Sequence, residues 1–114
     1  MKNIEEIRKR FLRDNSALCL GNLAANLSRI ASFSEDCRNN KIVESIIDES
    51  KHLIEWAASD FPLDIQSELI ELQIKLAVWH LQWTEIFNDK QKILKMRNDV
   101  EKASQRLLKL SGIV

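Results

Sequence analysis

Glycine and proline are nearly missing from this chain, with two Gly and one Pro in 114 residues, and tyrosine is absent altogether. So little turn-forming material leaves few places for hairpins, which argues against a β fold. Long apolar runs are missing too, since no stretch reaches 18 apolar residues. The longest uncharged segment, Asn15 to Ser28, holds three Asn and a Gly, so no membrane span is expected. Cysteine is scarce: Cys19 and Cys37 lie outside any metal or redox spacing and read most simply as thiols of a reducing cytoplasm. The first 13 residues carry five basic and two acidic side chains and no apolar centre, unlike a secretory signal.

Chemistry-bearing motifs are also missing. There is no Gly-rich phosphate loop, no supported Ser/His/Asp constellation and no Cys/His metal spacing, so neither catalytic residues nor a cofactor are expected. Formal charge is zero but unevenly spread. Residues 1–13 carry a net +3, residues 14–87 a net −7 and residues 88–114 a net +4. If the two ends are spatial neighbours, the protein has a basic side and an acidic side.

What is present is helical periodicity. From Leu63 to Phe87, Ile65, Leu69, Leu72, Leu76, Trp79, Trp83 and Ile86 recur at spacings of three and four. Leu63, Ile70, Ile74, Ala77 and Leu81 form a second stripe, about 160° away at roughly 100° per residue. A surface helix needs one apolar stripe, so a helix with two calls for cover from two sides. A neighbouring helix or residues 3–13 can supply it, or a second copy of the chain docked with two-fold symmetry. The homodimer is the favoured expectation, with Leu63, Ile70, Ile74, Ala77 and Leu81 as its interface.

Three further helices are read in the same way. One covers about 15–33, with large residues at Leu20, Leu23, Leu27 and Ile30 beside a seam of small ones at Ala17, Gly21, Ala24, Ser28 and Ala31. Another covers 36–58, with Ser34 as its expected N-cap and a buried face of Ile42, Val43, Ile46, Ile47, Leu53, Ile54 and Ala57, Ser50 filling the gap. Pro62 opens the two-striped helix, 62–87. The last, 89–110, carries Ile93, Met96, Val100, Ala103, Leu107 and Leu110 and ends at Ser111-Gly112. Residues 3–13 form an extension or a short extra helix, continuous with the next helix or broken near Asp14-Asn15-Ser16. The expected architecture is one all-α domain, an up-and-down antiparallel four-helix bundle.

Few residues are candidates for function. Glu49 and His52 have the Glu-x-x-His spacing of di-metal bundles, but the second pair is missing because Ala77 precedes His80 where Glu is required. No metal site is expected. His80 shares an uncharged polar strip with Gln66, Gln73 and Thr84, which suits a polar network between helices more readily than a ligand pocket. Asn15, Asn22, Asn26 and Arg29 form a second polar strip, read mainly as exposed. Trp79 and Trp83 occupy core positions, whereas Trp56 lies off its helix's buried centre and resembles an interface tryptophan. The basic residues of the last helix are interrupted by acids and lack aromatic neighbours, which argues against nucleic acid.

The functional expectation is therefore a non-catalytic cytoplasmic protein that works through protein–protein contact. The alternative is a ligand-binding or enzymatic bundle whose site combines His80 with the Asn strip.

Overall fold

The computed structural model describes residues 3–6 and the span 16–112. Most of the expected 3–13 extension, and the continuity of the chain through 13–16, lie outside the described residues. The described residues are all-helical, with no strand. Four long helices account for most of them: α1 (Ser16–Phe33), α2 (Asn40–Ala57), α3 (Leu63–Leu81) and α5 (Lys90–Ser111), with a short α4 (Trp83–Phe87) between the last two. Single 3-10 turns at Cys37–Asn39 and Ala58–Asp60 complete the connections.

The stops follow local chemistry. Asp36 takes the capping role expected of Ser34, because its carboxylate accepts from Arg38 N at 2.9 Å and starts the first 3-10 turn. Ser34 instead turns back on α1, donating its hydroxyl to the Ile30 carbonyl at 2.6 Å. Pro62 precedes α3, where its missing N–H costs nothing. Asp89 caps α5 by accepting from Gln91 N and Lys92 N. Gly112, at φ 76°, closes α5 in the left-handed conformation that glycine adopts without strain.

The expected helix over 62–87 is interrupted. Gln82, at φ −99° and ψ 17°, leaves the helical region and separates α3 from α4. Neither Gly nor Pro marks this break. It coincides with Trp83, whose indole N–H donates to Asn40 Oδ1 at 2.7 Å while its ring packs at 4.9 Å from Phe87. Tertiary contacts that bury Trp83 and Ile86 accompany the local departure from helix.

Neighbouring helices run antiparallel, as their cross-links show. Ser104 reaches Ala24 and Arg97 reaches Ala31, so α5 runs opposite to α1; Gln66 reaches Ala58 and Gln73 reaches Lys51, so α3 runs opposite to α2; Asn26 of α1 meets Ser50 of α2. α1 packs most extensively on α5, which places the first and last long helices side by side. The small-residue seam makes this contact possible. Ala24 and Ala31 are buried, and the Ser104 hydroxyl reaches the Ala24 carbonyl at 2.8 Å, an approach a larger residue would block. Leu20, Leu23, Leu27 and Ile30 fill the core with Val43, Ile47 and Ile54 of α2, Leu69, Leu72 and Leu76 of α3, and Met96, Val100 and Leu107 of α5. Three residues depart from expectation here: Ile42 is exposed, as is Ser28 of the small-residue seam, and Asn26 is buried.

Candidate functional site

The uncharged strip of α3 faces α2 and forms a polar seam. Gln66 donates to the Ala58 carbonyl at 3.0 Å, where α2 gives way to its terminal 3-10 turn. Two turns on, Gln73 donates to the Lys51 carbonyl at 3.4 Å. His80 follows, with Nδ1 at 3.0 Å from Lys51 Nζ and 3.7 Å from Asp48 Oδ1, and Nε2 at 3.6 Å from Glu44 Oε2. Lys51 is itself 3.6 Å from Asp48. An ammonium has only protons to offer, so Nδ1 accepts and the ring proton sits on Nε2, toward Glu44. His80 thus accepts one hydrogen bond from Lys51 between the helices, with the Glu44 and Asp48 carboxylates 3.6 and 3.7 Å away, beyond hydrogen-bond length. Thr84, beyond the break at Gln82, is exposed and does not join this seam.

The neighbouring charged groups are also engaged with one another. His52 lies 3.6 Å from Asp48 and 3.4 Å from Glu55, and its ring stacks on Trp56 with centroids 5.7 Å apart. Trp56 is half-buried by this contact rather than open on all sides. Glu49 points elsewhere, so the Glu49–His52 spacing does not become a pair of ligands. Among the described residues, no three His, Cys, Asp or Glu side chains converge to hold a metal ion. A hollow of about 340 Å³ beside the seam is lined by Lys51, His52, Glu55, Gln73, Ile74 and Ala77, and His80 does not reach it.

On the other side of α2 lies a groove of about 400 Å³ between α1 and α2. Asn26, Arg29 and Phe33 line it from α1; Lys41, Ile42, Ser45, Ile46 and Glu49 line it from α2. Glu44, Asp48 and Lys51 occupy a different side of α2 from Ile42, Ser45 and Glu49, the centres of the two sets lying about a third of a turn apart at roughly 100° per residue. His80 and the Asn strip therefore do not combine into one site. Within the strip, Asn22 and Arg29 are exposed, but Asn26 is buried, correcting the expectation of a wholly solvated face. Sequence contained a signal for this: Ser50 interrupts the buried stripe of α2, and Asn26 is the residue that donates to it, at 3.4 Å.

The third feature is the outer face of α3. Leu63 is 79% exposed, Ile70 45%, Ile74 59%, Val78 44% and Leu81 86%, and Ala77 is exposed with them. No neighbouring helix among the described residues covers this stripe, so cover from within the described chain, expected as one of the alternatives, is not found. Val78 belongs to the face and widens it toward Glu71 and Lys75. The charges of α5 are meanwhile bound to neighbours: Lys92 pairs with Glu85, Arg97 with Glu35 at 2.6 Å and Arg106 with Glu68 at 2.8 Å. These pairs raise the proton affinity of Lys92 and Arg106 through the hydrogen bonds that they donate to Glu85 and Glu68. Three of the cations that suggested a basic face are thus matched by acids of neighbouring elements. Comparison of the chain with family models, with curated proteins and with solved structures finds no match.

Proposed function

We propose that the chain is an up-and-down four-helix bundle of the cytoplasm that acts without catalysis, through protein–protein contact on the outer face of α3. The observation that carries this reading is the exposed stripe of Leu63, Ile70, Ile74, Val78 and Leu81, on a helix whose opposite stripe fills the core. A contiguous apolar surface of this kind is costly to leave in water and is characteristic of interaction sites. The antiparallel cross-links between α1, α2, α3 and α5 support the bundle topology. No helix among the described residues is long and apolar enough to cross a membrane.

The occupant of the face is a second copy of the chain. An antiparallel two-fold pairing centred between Ile70 and Ile74 sets Leu63 of one copy level with Leu81 of the other and Ile70 level with Ile74. In such a pairing like edges meet, so Glu71 of one copy lands within a turn of Lys75 of the other. Apolar centre and charged edge are both self-complementary in this register. Fully burying one Leu or Ile is worth about 1.5 to 3 kcal/mol, and a two-fold contact buries the set twice.

Light scattering tests the proposal. Twice the 13.3 kDa chain mass at micromolar concentration is expected, with Ile74→Glu monomeric and equally helical. A monomeric wild-type chain at about 100 μM, where even a modest interface associates, overturns the dimer. An Ile74→Glu chain that unfolds outright also overturns it, because the stripe would then belong to the core.

A further inference from the structure

The groove between α1 and α2 combines three features. Its wall is apolar, from Phe33, Ile46 and Ile42, the last 51% exposed. Its rim carries Arg29, Lys41 and Glu49, none of which forms an ion pair with any described residue. Its floor holds Asn26, only 6% exposed. The Ser50 hydroxyl gives its proton to the Ile46 carbonyl at 2.8 Å, so toward Asn26 it can only accept, and it does so from Nδ2 at 3.4 Å. That orientation turns Oδ1 away from Ser50, and none of the described residues donates to it. No side-chain polar atom among the described residues is both buried and unsatisfied, so Oδ1 keeps its access to the groove. A carboxamide oxygen that accepts nothing, on a side chain more than nine-tenths enclosed that lines a groove, is an acceptor held ready for a donor.

We propose that this groove binds a small apolar zwitterion, in which an amine and a carboxylate flank an aliphatic or aromatic side chain. The ammonium donates to Asn26 Oδ1 and Glu49 at one end. The carboxylate meets Arg29, with Lys41 beyond it, and the side chain lies on Ile42 and Ile46. Along the helix axes, Asn26 and Arg29 are about 4.5 Å apart, the reach of a free amino acid, and Lys41 and Glu49 about 12 Å apart, the reach of a short peptide. The volume falls in the range of ordinary small-ligand sites. Both sources share the same end-group chemistry.

The test is a titration of the full ¹⁵N-labelled chain followed by amide correlation spectra, with L-leucine and tri-leucine as probes. Saturable shifts are expected at the Asn26 side-chain amide and at the backbone of Arg29, Ile42 and Ser45. The tighter of the two probes identifies the source. N-acetyl-leucine and leucinamide, which each lose one charge, bind at least tenfold more weakly, a factor that one end-group contact readily supplies. Arg29→Gln weakens leucine but not leucinamide, and Glu49→Gln weakens leucine but not N-acetyl-leucine. Both side chains lie at the surface, so neither substitution threatens the fold. Absence of saturable shifts with either probe at about 10 mM, shifts confined to another part of the protein, or equal binding of leucine and its capped forms overturns the assignment.

Discussion

Leu69, Leu72 and Leu76 of α3 are buried among three other helices, whereas Leu63, Ile70, Ile74 and Leu81 of the same helix stand in water. Composition and spacing scarcely distinguish the two sets. What separates them is the neighbourhood: α2 approaches one flank of α3 through the Gln66, Gln73 and His80 seam, α5 reaches the other flank through Arg106 and Glu68, and the outer arc between them has no partner among the described residues. Periodicity fixes which residues share a face, but it is silent on whether anything covers that face. The polar seam marks the boundary, since its side chains satisfy carbonyls and charges on α2 and end the buried region there.

The strongest way to break this comparison is to truncate one residue from each stripe. Leu76→Ala empties a fully buried site and is expected to cost about 2 to 5 kcal/mol of unfolding free energy. Ile74→Ser, measured in the same urea titration at a concentration low enough to keep the chain monomeric, is expected to change stability by less than about 0.5 kcal/mol. Similar costs for the two would mean that the outer stripe is core after all. The pair therefore separates internal packing from association without reference to oligomeric state.

A smaller effect sharpens a second comparison, between the two sides of α1. Ala24 is buried against α5, with its carbonyl receiving the Ser104 hydroxyl, while Ala25 beside it is exposed. Ala24→Leu forces α1 and α5 apart and is expected to destabilise by about 1 to 3 kcal/mol, against less than about 0.5 kcal/mol for Ala25→Leu. Thermal unfolding of the two variants measures the difference. Equal midpoints would show that the helices do not depend on the small-residue seam for their approach.

Much of the fold was legible because its determinants are local. Stripes at spacings of three and four, Pro62 ahead of α3 and Gly112 behind α5 each act within a turn or two of chain. The break at Gln82 was not legible, because nothing in its own sequence interrupts a helix; it accompanies the Trp83 contact with Asn40, 43 positions away. Ser34 was the expected cap, but it turns back on α1 and Asp36 takes the role in the turn that follows. The candidate sites divide in the same way. The second stripe of α3 could be read from period alone, though not its exposure, and so could the polar strip that carries His80, though not the helix it faces. The groove could not, because it depends on which side of α1 meets Ser45 and Glu49. A polar residue at 26 and another in the apolar stripe at 50 were the visible halves of one buried pair.

The smallest expected effect contrasts an exposed cap with these buried contacts. Asp36 accepts from Arg38 N at 2.9 Å, and its carboxylate oxygens also receive the Arg38 guanidinium, with the shortest contact at 2.7 Å. The Arg38 side-chain hydrogen bonds, followed by the backbone one, hold its carboxyl down from the ordinary 3.8 to about 2. A carboxyl whose proton affinity is lowered by folding stabilises the charged folded state. Its contribution is fully present above about pH 4 and is lost as pH falls through about 2. The solvent around this surface pair screens it, so the contribution is small against either packing change. Following the Arg38 amide by nuclear magnetic resonance against pH should show a midpoint near 2 in the wild-type chain. In Arg38→Ala the guanidinium bonds are gone and the midpoint moves back toward 3.8, with the backbone N–H still holding part of the shift. A wild-type midpoint at 3.8 would mean that Asp36 and Arg38 stay apart in solution, and that the turn into α2 forms without its cap.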